Sequence, residues 1–324
     1  MQKSKSKIQD RKSQIPTAPL LVVGAVAFDS VRTPYGVAEN ILGGAATYLA
    51  VTASWFAPVR VVAVIGDDLV EEHLRVFHDR GIDVDGLVRA RGKTFRWSGE
   101  YSGDMNEART LDTQLNVFEK FDPQIPADYM DSEYLFLANI HPALQVKVRD
   151  SMPEVKLVGG DTMNLWINIE RENLGEMLKR VDVLLINDGE AKMLSGDGSL
   201  PRAARKVLDL GPKALVIKHG EYGATIFFRD GEFAGGHHPF RAPALPLDEV
   251  RDPTGAGDSF AGGFMGYIAS QGEVSRRVLK HAMFYGSVMG SFSVERFGTE
   301  QLQKLTRDEI DGRFEVFREL THLD

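Results

Sequence analysis

A chain of 324 residues, 43% hydrophobic and 26% charged, has the composition of a globular protein with a large buried core. Its formal charge of -8 excludes nonspecific nucleic-acid binding as the main activity, while leaving room for a positive cleft and an anionic ligand. The absence of cysteine excludes disulfides, cysteine nucleophiles and thiolate metal sites, and no apolar run approaches the roughly 18 residues of a membrane span. These features predict a cytoplasmic protein with neither membrane nor nucleic acid as partner.

Residues 1–19 read as a flexible basic tail, with Lys3, Lys5, Lys7, Arg11 and Lys12 against Asp10; residues 20–324 read as a single domain. Segments 20–24 and 59–65 are apolar enough for buried strands, with a glycine-started helix from 43 to 55 between them and another helix over 69–79. Segment 87–101 mixes Thr94, Phe95, Trp97 and Tyr101 with charges at a period near two. It predicts short antiparallel strands, drawn from about 29–40 and 87–110, forming a small β lid. Alternation then resumes. Strands are expected over 134–138, 156–160, 183–186 and 214–218, joined by helices over 142–150, 169–179, 190–194 and 201–210. Segments 225–229 and 232–235 suggest a hairpin around Asp230-Gly231. Beyond Asp258 the chain reads as helical, most clearly over 276–292 and 307–320. The fold class is α/β, one layered domain with a small β lid.

The run Arg251-Asp252-Pro253-Thr254-Gly255-Ala256-Gly257-Asp258-Ser259-Phe260 carries the most chemistry. A glycine-rich turn at a helix start offers unpaired N–H groups to an anion, and glycine allows close backbone approach. Asp258 beside such a cradle is a candidate base for phosphoryl transfer to an alcohol, with Gly255, Ala256 and Gly257 holding the transferring group. On spacing alone an Asp-capped helix entry explains the run equally well. Ser259, Ala261, Gly262, Gly263 and Gly266 read as close helix packing.

Asn187-Asp188-Gly189-Glu190 follows a predicted strand, where open α/β sheets hold ligands. Glu190 could organise Mg²⁺ through water with Asn187 near phosphates, or the four residues could simply cap a helix. Lys218-His219-Gly220-Glu221-Tyr222-Gly223 also follows a strand. Lys218 could neutralise phosphate and Gly220 and Gly223 could make room for a nucleotide, or the segment could be an ordinary turn. His219 and the pair His237-His238 lack the spacing of metal ligands. Asp29, just past the first strand, and Gly43-Gly44 could hold a polyhydroxylated acceptor under Phe95 and Trp97, or those aromatics could fill the lid's interface.

The motifs from Asp252 to Phe264, Gly43-Gly44 with Val64-Ile65-Gly66-Asp67-Asp68, and Asn187 to Glu190 together resemble the PfkB, or ribokinase-like, carbohydrate kinase family. The resemblance runs from about Leu20 to Leu320. It implies a three-layer α/β/α fold with a mostly parallel central sheet and a lid often used as a dimer interface. It implies an ATP- and Mg²⁺-dependent kinase acting on a hydroxymethyl or other alcohol group of a sugar, nucleoside or polyol. Asp258 takes the base's position and Gly255 to Gly257 the anion hole. Asn187, Glu190, Lys218, Gly220, Gly223 and Thr254 lie along the nucleotide, with 281–287 near adenine. Asp29, Gly43, Gly44, Tyr48 and Phe95 face the acceptor, and Asp252 takes part in a monovalent-cation site for K⁺.

Two departures stand out. Tyr48 replaces an asparagine that many members carry four positions after the second glycine, and the usual Asp-Pro-Asn becomes Asp161-Thr162-Met163-Asn164, with Trp166 close behind. They point to a reshaped acceptor pocket. A sugar or polyol is the first expectation. A nucleoside kinase, with Tyr48, Phe95 and Trp97 stacking on a base, is the alternative. A catalytically silent sugar- or nucleotide-binding regulatory protein is the competing class.

Overall fold

Residues 18–103, 105–234 and 238–321 are described by the computed structural model. Of the basic tail expected over 1–19, residues 1–17 lie outside the described residues, as does the discounted His237, while Ala18 is already buried in the core. In chain order come β1 (Leu20–Val23), β2 (Ala27–Thr33), β3 (Gly36–Gly43), α1 (Ala45–Ala53), β4 (Val59–Ile65), α2 (Glu71–His78), β5 (Asp83–Arg89), β6 (Phe95–Tyr101) and β7 (Ala108–Gln114). They are followed by β8 (Tyr134–Leu137), α3 (Pro142–Ser151), β9 (Leu157–Gly160), α4 (Asn164–Ile169), α5 (Arg171–Leu178), β10 (Val183–Asn187), α6 (Asp188–Ser195), α7 (Leu200–Leu208) and β11 (Ala214–Lys218). The last part holds β12 (Ala224–Phe228), β13 (Phe240–Ala242), α8 (Ala256–Gln271), α9 (Arg276–Ser293), α10 (Glu300–Lys304) and α11 (Arg307–Thr321).

Nine strands form one sheet in the order β13-β12-β11-β10-β9-β8-β1-β4-β5, and β3-β2-β6-β7 form a second, smaller sheet. From β5 to β11 all neighbours of the large sheet are parallel; β12 is antiparallel to β11 and to β13. Parallel strands need crossovers, and the crossover helices cover both faces, which is why these strands are runs of Leu, Val and Ile rather than alternating patterns. Alternate residues of each strand feed two separate cores. Leu20 and Val22 join one with residues of α1, α2 and α8–α11; Leu21 and Val23 join the other with residues of α3–α7. The three-layer expectation therefore matches the structure.

Two strand expectations need correction. The partner of β12 is β13, not the 232–235 segment, of which Gly235 is outside the described residues. The Asp230-Gly231 signal was real as a turn, but the chain takes a longer path back to the sheet edge. Residues 87–89 belong to β5 at the edge of the large sheet, parallel to β4, so the small sheet takes its third strand only from Phe95. Within the small sheet β2 and β6 run parallel, and only the outer pairs are antiparallel.

The chain order reverses around β1, which has β4 on one side and β8 on the other. Open α/β sheets bind ligands at such a point, outside the carboxyl ends of the strands. Asp161, Asn187 and Lys218 end β9, β10 and β11 or directly follow them on this side. Helix α8 brings its first turn to the same end. Its glycines allow close docking: a Cβ at Gly262 would lie 2.5 Å from the Leu49 carbonyl oxygen of α1, and one at Gly263 would lie 2.5 Å from the Tyr285 carbonyl oxygen of α9.

Candidate active site

Gly255 precedes α8 with φ +72, a left-handed conformation that favours glycine. Its neighbour Ala256 donates its N–H to the Pro253 carbonyl oxygen at 3.1 Å. Among the described residues the N–H groups of Gly255, Gly257 and Asp258 form no such bond, so the open cradle is made by these three and not by Ala256. The ammonium of Lys218 projects from the end of β11 to this turn; a Cβ at Gly257 would lie 2.8 Å from its Nζ. Asp258 stands in the first turn of α8, where the helix dipole favours negative charge. Its pKa nonetheless rises to about 6, because burial and the Glu190 carboxylate outweigh the opposing Lys218 charge.

Asn187 and Glu190 form a reciprocal cap on α6. The Asn187 side chain accepts from the Glu190 N–H at 2.7 Å, and a Glu190 carboxylate oxygen accepts from the Asn187 N–H at 2.8 Å. The capping reading is thus realised, and the same carboxylate also faces the cleft. Burial raises its pKa against the pull of Lys218. Gly220 and Gly223, with φ +56 and +90, shape a single 3-10 turn between β11 and β12, and His219 donates its N–H to the Gly223 carbonyl oxygen at 2.7 Å. The His219 ring pairs with the Thr225 hydroxyl at 3.0 Å. His281 lies exposed against Tyr267, at the far end of α8 from Asp258, while Ser287, nearer the cleft end of α9, keeps a buried hydroxyl without a partner.

On the other side of Asp258, Asp29 is held on β2 with Gly44 donating its N–H to the carboxylate at 3.2 Å. A Cβ on Gly43 would overlap that carboxylate, which explains the glycine there. Burial with neighbouring Asp252 and Asp258 raises the Asp29 pKa to about 7, against the Gly44 bond. Tyr48 of α1 is fully buried, its ring packed where a Gly255 side chain would stand and its hydroxyl without a partner. Asp252 is wholly buried, with its two oxygens accepting from the Thr254 and Gly298 N–H groups at 2.9 and 3.0 Å. Phe95 stacks on Phe118 at 5.2 Å, which in turn stacks on Phe121, so it fills the lid's interface.

Two residues near the site carried no assigned role in the sequence. Tyr101, at the end of β6, brings its hydroxyl to 3.4 Å from the Thr254 hydroxyl and joins the small sheet to the turn before the cradle. Asp161 is buried beside Asp258, Lys218 and Glu190, with one carboxyl oxygen lacking a partner and its pKa pushed well up by burial. The altered Asp161-Thr162-Met163-Asn164 motif was a signal for Asp161; for Tyr101 only the period-two pattern of its strand was available. Among the described residues no three His, Asp or Glu side chains converge as a metal site. The orphaned Asp161 oxygen and the Glu190 carboxylate are hard oxygen donors of the kind Mg²⁺ takes, with phosphate oxygens completing its shell.

Comparison with known proteins identifies the family. The profile described as pfkB family carbohydrate kinase matches residues 20–305. The chain is 32% identical over 252 residues to the cytidine kinase of Thermococcus kodakarensis, an alignment covering 76% of this chain and 87% of that protein. It is 39% identical over 287 residues to the 2-dehydro-3-deoxygluconokinase of Thermoproteus tenax, covering 82% and 84%. The crystal structure of the Methanocaldococcus jannaschii nucleoside kinase, an archaeal member of the ribokinase family, superposes with a TM-score of 0.73 at 20% identity, covering 92% of this chain and 98% of the other. The chain belongs to the PfkB family of carbohydrate kinases.

Proposed function

We propose that this kinase moves the γ-phosphoryl group of ATP onto an alcohol of a small sugar, polyol or nucleoside. The observation that carries the reading is the placement of Asp258 beside the open N–H groups of Gly255 and Gly257, with the Lys218 ammonium against the same turn. Asp258 accepts the proton of the acceptor hydroxyl as its oxygen bonds to phosphorus and the bond from that phosphorus to ADP breaks. With a pKa of about 6 it is largely ionised at neutral pH and close enough to the working pH to take a proton late in the step. The cradle and Lys218 offset the negative charge of the transferring group.

Glu190 and Asp161 are the residues that would hold Mg²⁺ or its water shell, and Asn187 keeps Glu190 in place through the shared cap. When bound, Mg²⁺ neutralises phosphate charge and aligns the phosphates. Gly220 and Gly223 give the turn after β11 its left-handed geometry, packed against Asn106 and the Ala242 carbonyl oxygen, and this turn is the segment assigned to run along the nucleotide. Asp29, Gly43, Gly44 and Tyr48 form the acceptor side. Asp252 and its neighbouring carbonyls are proposed for a K⁺ site, the small sheet for a homodimer contact, and the cytoplasm as the compartment. No helix among the described residues is long and apolar enough to cross a membrane.

The test is a screen of neutral sugars, cyclitols and nucleosides with ATP and Mg²⁺, following ADP formation and product mass. A product heavier than its acceptor by one phosphoryl group is expected. Ligand binding with no phosphorylated product from any pairing overturns the kinase reading in favour of a silent binding protein. Sugars and nucleosides both stand among the acceptors that relatives are named for, so the relative kcat/KM of the two groups orders them.

A further inference from the structure

The inner face of the small sheet is free of basic side chains among its paired residues. Register places Trp97 beside Asp29, and Gly99 beside Val31, on the face that holds Tyr101. The basic residues of these strands fall on the opposite face: Arg96 pairs in register with Phe28, Arg32 with Glu100, and Glu100 with Arg109. Two of them are also occupied there, Arg96 with Asp68 at 2.7 Å and Arg109 with Glu100 at 2.6 Å. At the floor of the same space the Tyr48 hydroxyl is buried with no hydrogen-bond partner, amid Asp29, Asp252 and Asp258. Residues 161–170, which continue from β9 toward the cleft, contain Asp161 and Glu170 and neither Lys nor Arg. The cation that reaches Asp258 is Lys218, and it lies against Gly257 on the phosphate side.

A phenol hydroxyl has one proton to donate, and a carboxylate only accepts hydrogen bonds, the form Asp29 takes as pH rises past about 7. A ligand that satisfies this set must therefore offer hydroxyl donors to Asp29 and Asp258 and one acceptor oxygen to Tyr48. It must also avoid bringing negative charge into a space already lined by carboxyl groups, because a like-charge contact in a low-dielectric site is strongly unfavourable. We infer that the acceptor is an uncharged polyhydroxylated molecule, read by Asp29, Tyr48 and Asp258, and that sugar acids and sugar phosphates are rejected by charge. This narrows the proposed kinase reading and rests on it for the identity of the site. The ring of Tyr48 has a separate task, since it packs against Gly255 and so supports the turn that makes the phosphate cradle.

The experiment compares three neutral probes (cytidine, ribose and myo-inositol) with three anionic ones (2-dehydro-3-deoxygluconate, ribose 5-phosphate and fructose 6-phosphate). Binding is read by calorimetry with Mg²⁺ and a non-hydrolysable ATP analogue present, and turnover separately with ATP. The best neutral probe is expected to exceed the best anionic one by about 100-fold or more in both affinity and kcat/KM. An anionic probe that binds or reacts as well as any neutral one overturns the inference while leaving the kinase reading intact. Neutral probes that bind selectively without reacting support the inference and count against the kinase reading; a panel in which nothing binds counts against both. Tyr48→Phe keeps the ring against Gly255 and should raise the acceptor KM about tenfold, with kcat and the ATP KM within about twofold. An unchanged acceptor KM removes Tyr48 from the reading set.

Discussion

The two halves of the cleft differ in charge and in how they are assembled. The half proposed for phosphate is built from short contiguous stretches: the turn entering α8, the cap on α6 and the end of β11. With Asp161 at the end of β9 it sets one cation, Lys218, among three carboxyl groups, and it presents open backbone N–H groups at the start of α8. The half proposed for the acceptor gathers Asp29, Tyr48 and Tyr101 from two strands and a helix, a carboxyl group and two phenols. The first half is set by local backbone geometry; the second depends on sheet register and on packing between distant segments. Substitutions should therefore act on turnover in the first and on acceptor affinity and pH response in the second.

Asp258 borders both halves, so its loss should have the largest effect. Asp258→Asn should lower kcat by about 10²-fold or more at pH 7, measured with the best acceptor and saturating ATP. Turnover close to wild type would remove the base from the mechanism. Next comes Lys218→Met, expected to lower kcat/KM for ATP by about tenfold, in the range of a lost charge-assisted contact. It should also move the acid limb of the rate profile upward from near pH 6, because Lys218 favours the ionised form of Asp258. Glu190→Gln should move that limb the other way, since Glu190 opposes ionisation of Asp258. Shifts of the same sign in the two variants would break the electrostatic account of the phosphate half.

On the acceptor side the sharper readout is stability. Asp29 holds its proton to about pH 7 when folded, against an ordinary value of 3.8, so the folded chain binds more protons across that window. Stability contributed by this raised value is present at low pH and is lost as pH rises toward 7. Asp29→Asn should therefore gain on the order of 2 kcal/mol over wild type above pH 7 and little near pH 4, read from melting temperatures across pH. A constant difference across that range would mean that Asp29 is not the titrating group. The smallest effect is expected at Phe95. Its stacking on Phe118 predicts that Phe95→Leu costs about 1 kcal/mol of stability while changing acceptor KM less than about threefold.

The same contrast explains what could be read from the chain beforehand. Segments 59–65 and 214–218 coincide with β4 and β11, because a strand buried on both faces is an unbroken apolar run bounded by polar turns. Residues 87–89, the end of β5, read as part of the lid because they run directly into the segment that mixes aromatic and charged residues at a period near two. The second strand of the hairpin was misplaced because Phe240–Ala242 is only three residues long and lies well past the turn that announced it. In the site, Asp258 and the α6 cap are legible because their partners are within a few residues. Tyr101 meets Thr254 across 153 residues, and the charged neighbours of Asp161 come from three different elements; no local pattern encodes either. The Ala256 N–H was expected in the cradle because spacing does not reveal that Pro253 already binds it.

The glycine seam of α8 has a consequence for redesign. Gly262 meets the backbone of α1, Gly263 that of α9, and Gly266 the backbone of α1 again, so even a single methyl group along this stretch collides with main chain that has nowhere to go. A mutational library spread over α8 would spend most of its members on misdocked helices. The exposed strand β7 and the outer positions of β3 carry no such constraint, and they lie in the sheet whose other face carries Asp29 and is proposed to border the acceptor. Diversity introduced there reaches the pocket through the register of β2 and β6 without disturbing the helix that carries Asp258. The fold thus separates a part that tolerates almost no variation from one that can be rewritten, and an engineer seeking a new acceptor should begin with the second.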